Sequence, residues 1–281
     1  MTVCRRHANI RKGSEGVLEI TSLVENTSKC GLKAKHGLSL YIETERHKLL
    51  FDVGPDDTLF VNARKRGIDL TQIDTVIISH GHVDHAGALR DFLKLNTKAK
   101  VYIQRKAFEP HYSKVLFLKI PIGISKALET HPRIMPIDGD YKIDDELFLF
   151  TVNETDKCHS TVNDVLYDRN GRDDFSHEQN LIITENHSAL IMGCGHAGIV
   201  NIMERAKSYQ SKVCVGGFHL YDPITKRGVP LTLLDEIAGV LKDCKDTRFY
   251  TCHCTGQKAF QYMKSQIPNL FYLSCGEMID I

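Results

Sequence analysis

The stretch Ser79-His80-Gly81-His82-Val83-Asp84-His85-Ala86-Gly87 packs three histidines and one aspartate into six positions. Before it runs Asp74-Thr75-Val76-Ile77-Ile78, whose β-branched residues read as a buried strand. After it, Ala88, Leu89, Phe92 and Leu93 recur at helical spacing, so a helix is expected from near Ala86. The polar side chains therefore sit in a tight turn between strand and helix, where they can converge on one small volume. Imidazole and carboxylate are ligands that suit zinc, iron and manganese. His80 and His82, two apart in extended chain, point the same way and can share one ion. Asp84 and His85 are placed for a second. Two cations about 3.5–4 Å apart can hold a bridging hydroxide and polarise a substrate oxygen. Four candidate ligands this close together favour a metal site over polar loop residues or satisfied core histidines.

Outward from that turn, the chain of 281 residues suits one large α/β domain, with 42% apolar and 25% charged residues. A net charge of +1 gives no bulk attraction to nucleic acid or an anionic membrane. No apolar run reaches the length of a membrane span. The basic segment 1–16 (Arg5, Arg6, Arg11, Lys12) lacks the apolar centre of a secretory signal and is expected to be a flexible tail. Nine cysteines, odd in number and scattered, fit reduced thiols better than a disulfide framework. A cytoplasmic protein is expected.

Segments 17–24, 38–42 and 48–52 read as antiparallel strands, the last two joined by the polar turn Thr44-Glu45-Arg46-His47. Asp56 or Asp57 caps a helix through Asn62 and Ala63 that Gly67 stops. A strand returns at 100–104. Residues 108–136 carry Pro110, Pro121, Pro132 and Pro136 without a sustained period, and are read as an insertion that covers the cleft as a lid. A strand at 147–152 opens the second half, and the polar stretch 153–174 is expected to be mobile. A hairpin (181–184 and 189–192), a helix (199–209), a strand (212–215), a helix (231–241) and a final core strand (248–251) follow. Strands first, then strand and helix in alternation, occur twice. Two such halves face to face make a four-layer αββα sandwich.

Later strand ends must complete a two-metal site. His196, in Met192-Gly193-Cys194-Gly195-His196-Ala197-Gly198, ends a buried strand between glycines that let the backbone approach a ligand. His253 follows the last core strand. His219, after Gly216-Gly217-Phe218, can donate to an oxyanion or a phosphate, or act as an acid on a leaving group. Cys252 and Cys254, one residue apart in a strand, are expected on one face, away from His253. His7, His36, His47, His111, His131, His159 and His187 lie in turns or polar segments and are expected in solvent.

The segment His80 to His85 matches, without a gap, the His-x-His-x-Asp-His hallmark of the metallo-β-lactamase fold superfamily. With Asp52-Val53-Gly54-Pro55, the run from Gly193 to Ile202, Gly216 to Leu220 and His253-Cys254-Thr255-Gly256, the chain resembles one subgroup from Ile20 to His253 and beyond. That subgroup is the metal-dependent hydrolases of β-lactamase superfamily II, whose members are often labelled dihydropterin-ribofuranosylaminobenzene-phosphate synthase, for a step in methanopterin biosynthesis. The resemblance implies that His80, His82, Asp84, His85, His177, His196 and His253 bind one or two divalent ions, zinc first, with iron or manganese as alternatives. It implies that Asp52 buttresses the turn by hydrogen bonding and that His177 takes the place of the middle histidine ligand. Asp84 and His219 are the expected catalytic residues. Where the superfamily has an acidic bridging ligand within Gly-Asp, this chain has Gly193-Cys194. Either His196 or the Cys194 thiolate takes that place, or the second site is weak. The expected activity is a hydrolase whose metal-bound hydroxide attacks a small phosphate- or carbonyl-bearing substrate, or a transferase coupling a phosphorylated, pterin-like one. A di-iron redox protein with a separate electron partner is a rival from another class. A non-catalytic, metal-dependent ligand-binding protein is the third.

Overall fold

In the computed structural model, which describes residues 18–281, two seven-stranded sheets share one inner core. The first runs Met278–Asp280, Glu19–Val24, Ser39–Glu43, Lys48–Phe51, Thr75–Ile77, Lys100–Gln104, Ile134–Ile137. Neighbours are antiparallel as far as Lys48–Phe51 and parallel beyond it. The second runs Leu270–Tyr272, Arg248–Thr251, Val213–Gly216, Ser188–Ile191, Asn180–Thr184, Leu147–Phe150, Tyr141–Lys142, parallel over its first four strands and antiparallel after.

Side chains alternate across each strand, and here both faces are covered, so the central strands are continuously apolar. Leu49, Phe51 and Ile77 point inward to meet Leu181, Ile191 and Val215 of the other sheet. Leu50 and Val76 point outward, onto Leu59 and Ala63 of the helix Thr58–Arg66 and Leu89 and Phe92 of the helix Leu89–Leu95. Ile182, Leu190 and Cys214 do the same for the second sheet, under the helices Ile199–Arg205, Leu231–Leu241 and Gln257–Lys264. This is the expected αββα order. The first helix is bounded as its residues dictate: the Asp56 carboxylate accepts from the Thr58 N–H (3.0 Å) and hydroxyl (2.6 Å), and Gly67 ends it at φ +75°.

Several elements differ from expectation. The helix after the metal turn comes in two pieces, Val83–Ala86 and Leu89–Leu95. Arg248–Thr251 is not the last strand: Leu270–Tyr272 and Met278–Asp280 follow, and the latter pairs with Glu19–Val24. Strands of three residues are too short to carry a period. Within 108–136, Tyr112–Val115 and Leu118–Pro121 form a hairpin, and Leu166–Tyr167 joins it as a third strand. The stretch 153–174 is thus held in structure. The insertion backs onto the metal turn, since Val83 N–H donates to the Ile122 carbonyl (2.7 Å) and His82 bridges to Gly123. Among the described residues seven cysteines are free, while Cys30 is disulfide-bonded, against the expectation of reduced thiols. No helix of the described residues is long and apolar enough to cross a membrane. The expected tail 1–16 lies outside the described residues.

Candidate metal centre

Asp52 follows the strand Lys48–Phe51 in the left-handed region (φ +61°), which aspartate tolerates better than most residues. Its buried carboxylate accepts from the Ser79 N–H (2.7 Å), the Ser79 hydroxyl (2.7 Å) and His85 Nδ1 (2.6 Å). Asp52 thus holds both ends of the metal turn, in the place where the resemblance puts a buttress. The other sheet closes in from the opposite side at Gly193. A Cβ there would lie 2.2 Å from Ser79 Oγ, so only glycine lets the two strand ends meet.

Four imidazoles around this point have their Nδ1 protons committed. The Ser79 hydroxyl gives its proton to Asp52, so its oxygen accepts from His80 Nδ1 (2.8 Å). Asn163 clamps His196 twice: its Oδ1 accepts from Nδ1 (3.0 Å) and its Nδ2 donates to the His196 carbonyl (2.9 Å). Asn26 clamps His253 in the same way, at 2.9 and 3.1 Å. Asp52 takes the Nδ1 proton of His85. A neutral imidazole has one N–H, so each ring presents an Nε2 lone pair to the interior. The Nε2 atoms of His80 and His196 are buried without a partner. Those of His85 and His253 stand 3.2 Å apart, lone pair against lone pair. Such a contact is favourable only with a proton or a cation in the gap. Cys194 Sγ lies 3.2 Å from His85 Nε2. It belongs to three donor sets, His80–Cys194–His196, His85–Cys194–His253 and Cys194–His219–Cys254, each with its ligand atoms within 4.8 Å of one another. Asp84 Oδ2 stands 3.3 Å from His253 Nε2 and 3.7 Å from His85 Nε2. These residues fit a divalent cation: buried nitrogen, sulfur and oxygen donors in the right tautomers.

The charges agree with that geometry. Burial pushes the pKa values of His80, His82 and His196 well down, and neighbouring imidazoles add to it. Burial also works against charged His85, but the Asp52 and Asp84 carboxylates outweigh it and lift His85 to about 9. A protonated His85 Nε2 faces His253 Nε2 and Cys194 Sγ, each at 3.2 Å, and Asp84 Oδ2 at 3.7 Å. Burial would raise Asp84, yet His85, His253 and His36 hold its carboxyl well below the usual range.

A pH dependence follows for the metal-free protein. His80, His82 and His196 stay neutral when folded but take up protons in the unfolded chain below about pH 6.5, so stability falls with pH there by up to about 4 kcal/mol per unit for the three. His85 has the opposite sign. Its stabilisation is complete below about pH 6.5 and is lost only as pH rises through its folded value, so it does not cushion the acid side. Urea midpoints measured at pH 7.0 and 5.5 should show the drop, and equal midpoints would refute it.

The other expected site residues are placed as follows. His82 Nε2 is buried and unpartnered, its ring centroid 4.5 Å from that of His80 and 5.1 Å from that of His196. His177 stands outside the Cys194 sets, grouped with His82, His111 and Asp173, and both its nitrogens are engaged, Nδ1 with the Gly81 N–H (3.0 Å) and Nε2 with Asp173 (3.2 Å). His219 packs 4.1 Å from the His196 ring centroid, and neither of its buried nitrogens has a partner. Cys252 and Cys254 do not share a face. His253–Thr255 is a 3-10 turn with His253 at φ +49°, which sends Cys252 into the inter-sheet core and Cys254 toward Cys194 and His219.

Two histidines expected in solvent are drawn in instead: His47 sits between Asp74 and Asp144, and His111 is 3% exposed against Asp173. His36 stays exposed as expected, with its Nε2 3.3 Å from Asp84. Asn26 and Asn163 escaped sequence reasoning, as did Glu178, whose carboxylate accepts the N–H groups of His196 (2.8 Å) and Ala197 (2.9 Å). Burial lifts Glu178 to about 7. Its adjacency to His177 was a usable signal; the asparagines had none.

Residues 33–176 match the metallo-beta-lactamase superfamily. An uncharacterized protein of Methanocaldococcus jannaschii is 30% identical over 271 residues, covering 93% of this chain and 100% of that one. The 7,8-dihydropterin-6-methyl-4-(beta-D-ribofuranosyl)-aminobenzene-5'-phosphate synthase of the same organism is 29% identical over 254 residues, covering 80% of this chain and 83% of the synthase. The crystal structure of Tm1679, a metal-dependent hydrolase of the beta-lactamase superfamily, aligns with a TM-score of 0.77 at 28% identity over 94% of this chain and 99% of that one.

Proposed function

The chain belongs to the metallo-beta-lactamase superfamily, whose fold implies divalent metal binding, and from that premise we propose that it is a hydrolase using two divalent cations, zinc first, on a small phosphate- or carbonyl-bearing substrate. His80, Cys194 and His196 would hold one ion, with His82 alongside; Asp84, His85, Cys194 and His253 would hold the other. The observation that carries this reading is that Cys194 belongs both to the set of His80 and His196 and to the set of His85 and His253. Burial and the neighbouring Cys254 push the Cys194 thiol well up in the metal-free protein, so a bound cation would have to draw off its proton. As a thiolate it would then stand where the superfamily has an acidic ligand, and imidazole with thiolate suits zinc.

Two cations in such a centre lower the pKa of a bound water and polarise a substrate oxygen. The chain's own residues supply the rest. Asp84 is ionised at neutral pH, so it accepts a proton or a hydrogen bond and does not donate one. His36, in contact with Asp84 and 42% exposed, offers that proton a way to solvent. His219 has free ring nitrogens with which to donate to a developing anion. Asn26, Asn163 and Asp52 keep the ligand rings in their tautomers.

A pterin-coupling transferase is the second reading, supported by the similarity to the M. jannaschii synthase along most of both chains. One experiment separates the readings. The purified protein is analysed for metal and colour, then offered phosphodiesters, lactones, thioesters and a dihydropterin with a phosphorylated ribosyl-arylamine. Hydrolysis of an ester class that a chelator abolishes and zinc restores is expected. Coupling of the pterin pair alone supports the synthase, and a coloured iron protein supports a redox role. Inertness toward all of them, with metal restored, would leave only ligand binding.

A further inference from the structure

We propose that the inner face of the hairpin 112–121 is the apolar subsite of the active centre, so that the substrate carries a bulky uncharged group beside its phosphate or carbonyl. The inference rests on the metal-dependent reading above and names a substrate class for it. The register sets Lys114 opposite Lys119, Ser113 opposite Ile120 and Val115 opposite Leu118. Residues directly opposite share a face, so both lysines lie on one side of the hairpin and Ile120 and Leu118 on the other. The lysine side is the outer one, its two ammonium groups 5.5 and 5.0 Å from the centre of the Tyr167 ring. The other side turns inward. Ser113 and its second neighbour Leu166 are buried there. The ladder continues where the Ile122 N–H donates to the His111 carbonyl (2.9 Å), which puts His111 on this same face, against the rings of His82 and His177. The 3-10 turn Thr161–Val165, which carries the Asn163 clamp on His196, packs on the same strands.

What the inner face leaves open is apolar. Val83 in the metal turn, tied to the Ile122 carbonyl by its N–H, begins a strip that Ile120, Leu118 and the tip Leu116-Phe117 continue. Phe117 is 92% exposed and Leu118 69%. A contiguous apolar strip of this kind marks a binding surface. The turn itself does not call for these residues. A two-residue hairpin loop favours asparagine or glycine, yet Leu116 takes φ +55°, a costly conformation for leucine. Neither charge of the hairpin lies on the inner face, so the occupant is uncharged where it meets the strip. The strip starts at the metal turn, which makes that occupant a part of the substrate. An anionic membrane would be met by lysines around the tip, and these are held behind it on the tyrosines.

The chain has no tryptophan, so Phe117→Trp places a single emitter at the tip. Zinc-loaded, full-length protein is titrated with biphenyl-4-phosphonate and with methylphosphonate, which share a head group and differ in the apolar part. Calorimetry should give the biphenyl compound an affinity about 10- to 100-fold higher, and its binding alone should shift the tryptophan emission to the blue. Leu118→Ser combined with Ile120→Ser, both on exposed side chains, should bring that ratio to near one and leave methylphosphonate binding unchanged. Equal affinities in the wild type, or a ratio that the double variant keeps, overturn the apolar subsite and leave the metal centre standing. A biphenyl affinity that the double variant loses, in a protein that binds no methylphosphonate and hydrolyses no ester, supports the subsite and counts against the hydrolase. Failure of both compounds to bind overturns the subsite. So does a blue shift produced by protein concentration alone or by phosphatidylserine vesicles alone, which would assign the strip to a second copy or to a lipid surface.

Discussion

Serine at position 194 is expected to strip the shared centre and to lower kcat/KM by about 10²- to 10⁴-fold. The estimate comes from the sharing. Loss of one orienting group already costs about 10–100-fold in affinity at a metal site, and Cys194 would serve two ions at once, so the penalties multiply to about 10²- to 10⁴-fold. The serine hydroxyl is nearly isosteric but does not ionise at neutral pH, so it cannot replace the thiolate. The fold should survive, because the side chain keeps its volume at a strand end (3% exposed) and the metal-free variant loses no more than about 1 kcal/mol. Metal content by mass spectrometry, initial rates and urea midpoints of the metal-free proteins check the three statements separately. A variant with full metal and full rate would end the account of Cys194 as the common ligand.

Asp52→Ala should have the largest effect on stability, about 5–6 kcal/mol. It strands the Ser79 N–H, the Ser79 hydroxyl and the His85 Nδ1–H in a fully buried site, where the broken ion pair alone costs about 3–5 kcal/mol. Alanine at φ +61° adds about 1 kcal/mol of backbone strain. That sum is comparable to the whole stability of many domains, so the metal-free variant should be largely unfolded near 25 °C. Asp52→Asn keeps the shape and tolerates the left-handed backbone, so it should cost less and remain folded. In it the His85 titration, followed by imidazole NMR in metal-free protein, should fall from about 9 to below the ordinary histidine value, since burial persists and the nearer carboxylate is gone. An Asp52→Ala protein with a wild-type urea midpoint would show that the buttress is dispensable.

How much of this could be read from the chain depends on the range of each interaction. The turn between Ile78 and Leu89 could be read because strand and helix periods change within a few residues on either side of it. The hairpins Ser39–Glu43/Lys48–Phe51 and Asn180–Thr184/Ser188–Ile191 could be read for the same local reason. The closing strand Met278–Asp280 was not legible, because three residues carry no period and their partners lie at the opposite end of the chain. Cys254 was misplaced because a strand pattern was carried one residue too far into a 3-10 turn.

The amino-acid order alone determined the layers and the types of side chain gathered at the metal turn, since both follow from local period and short spacing. Tertiary structure alone decided which nitrogen each ring presents, that Cys194 stands in three donor sets at once, and that His111 leaves solvent for Asp173. The reason is physical. A tautomer is set by its acceptor, and the acceptors for His253 and His111 lie 227 and 62 residues away, where only the packing of the two sheets and the insertion can bring them.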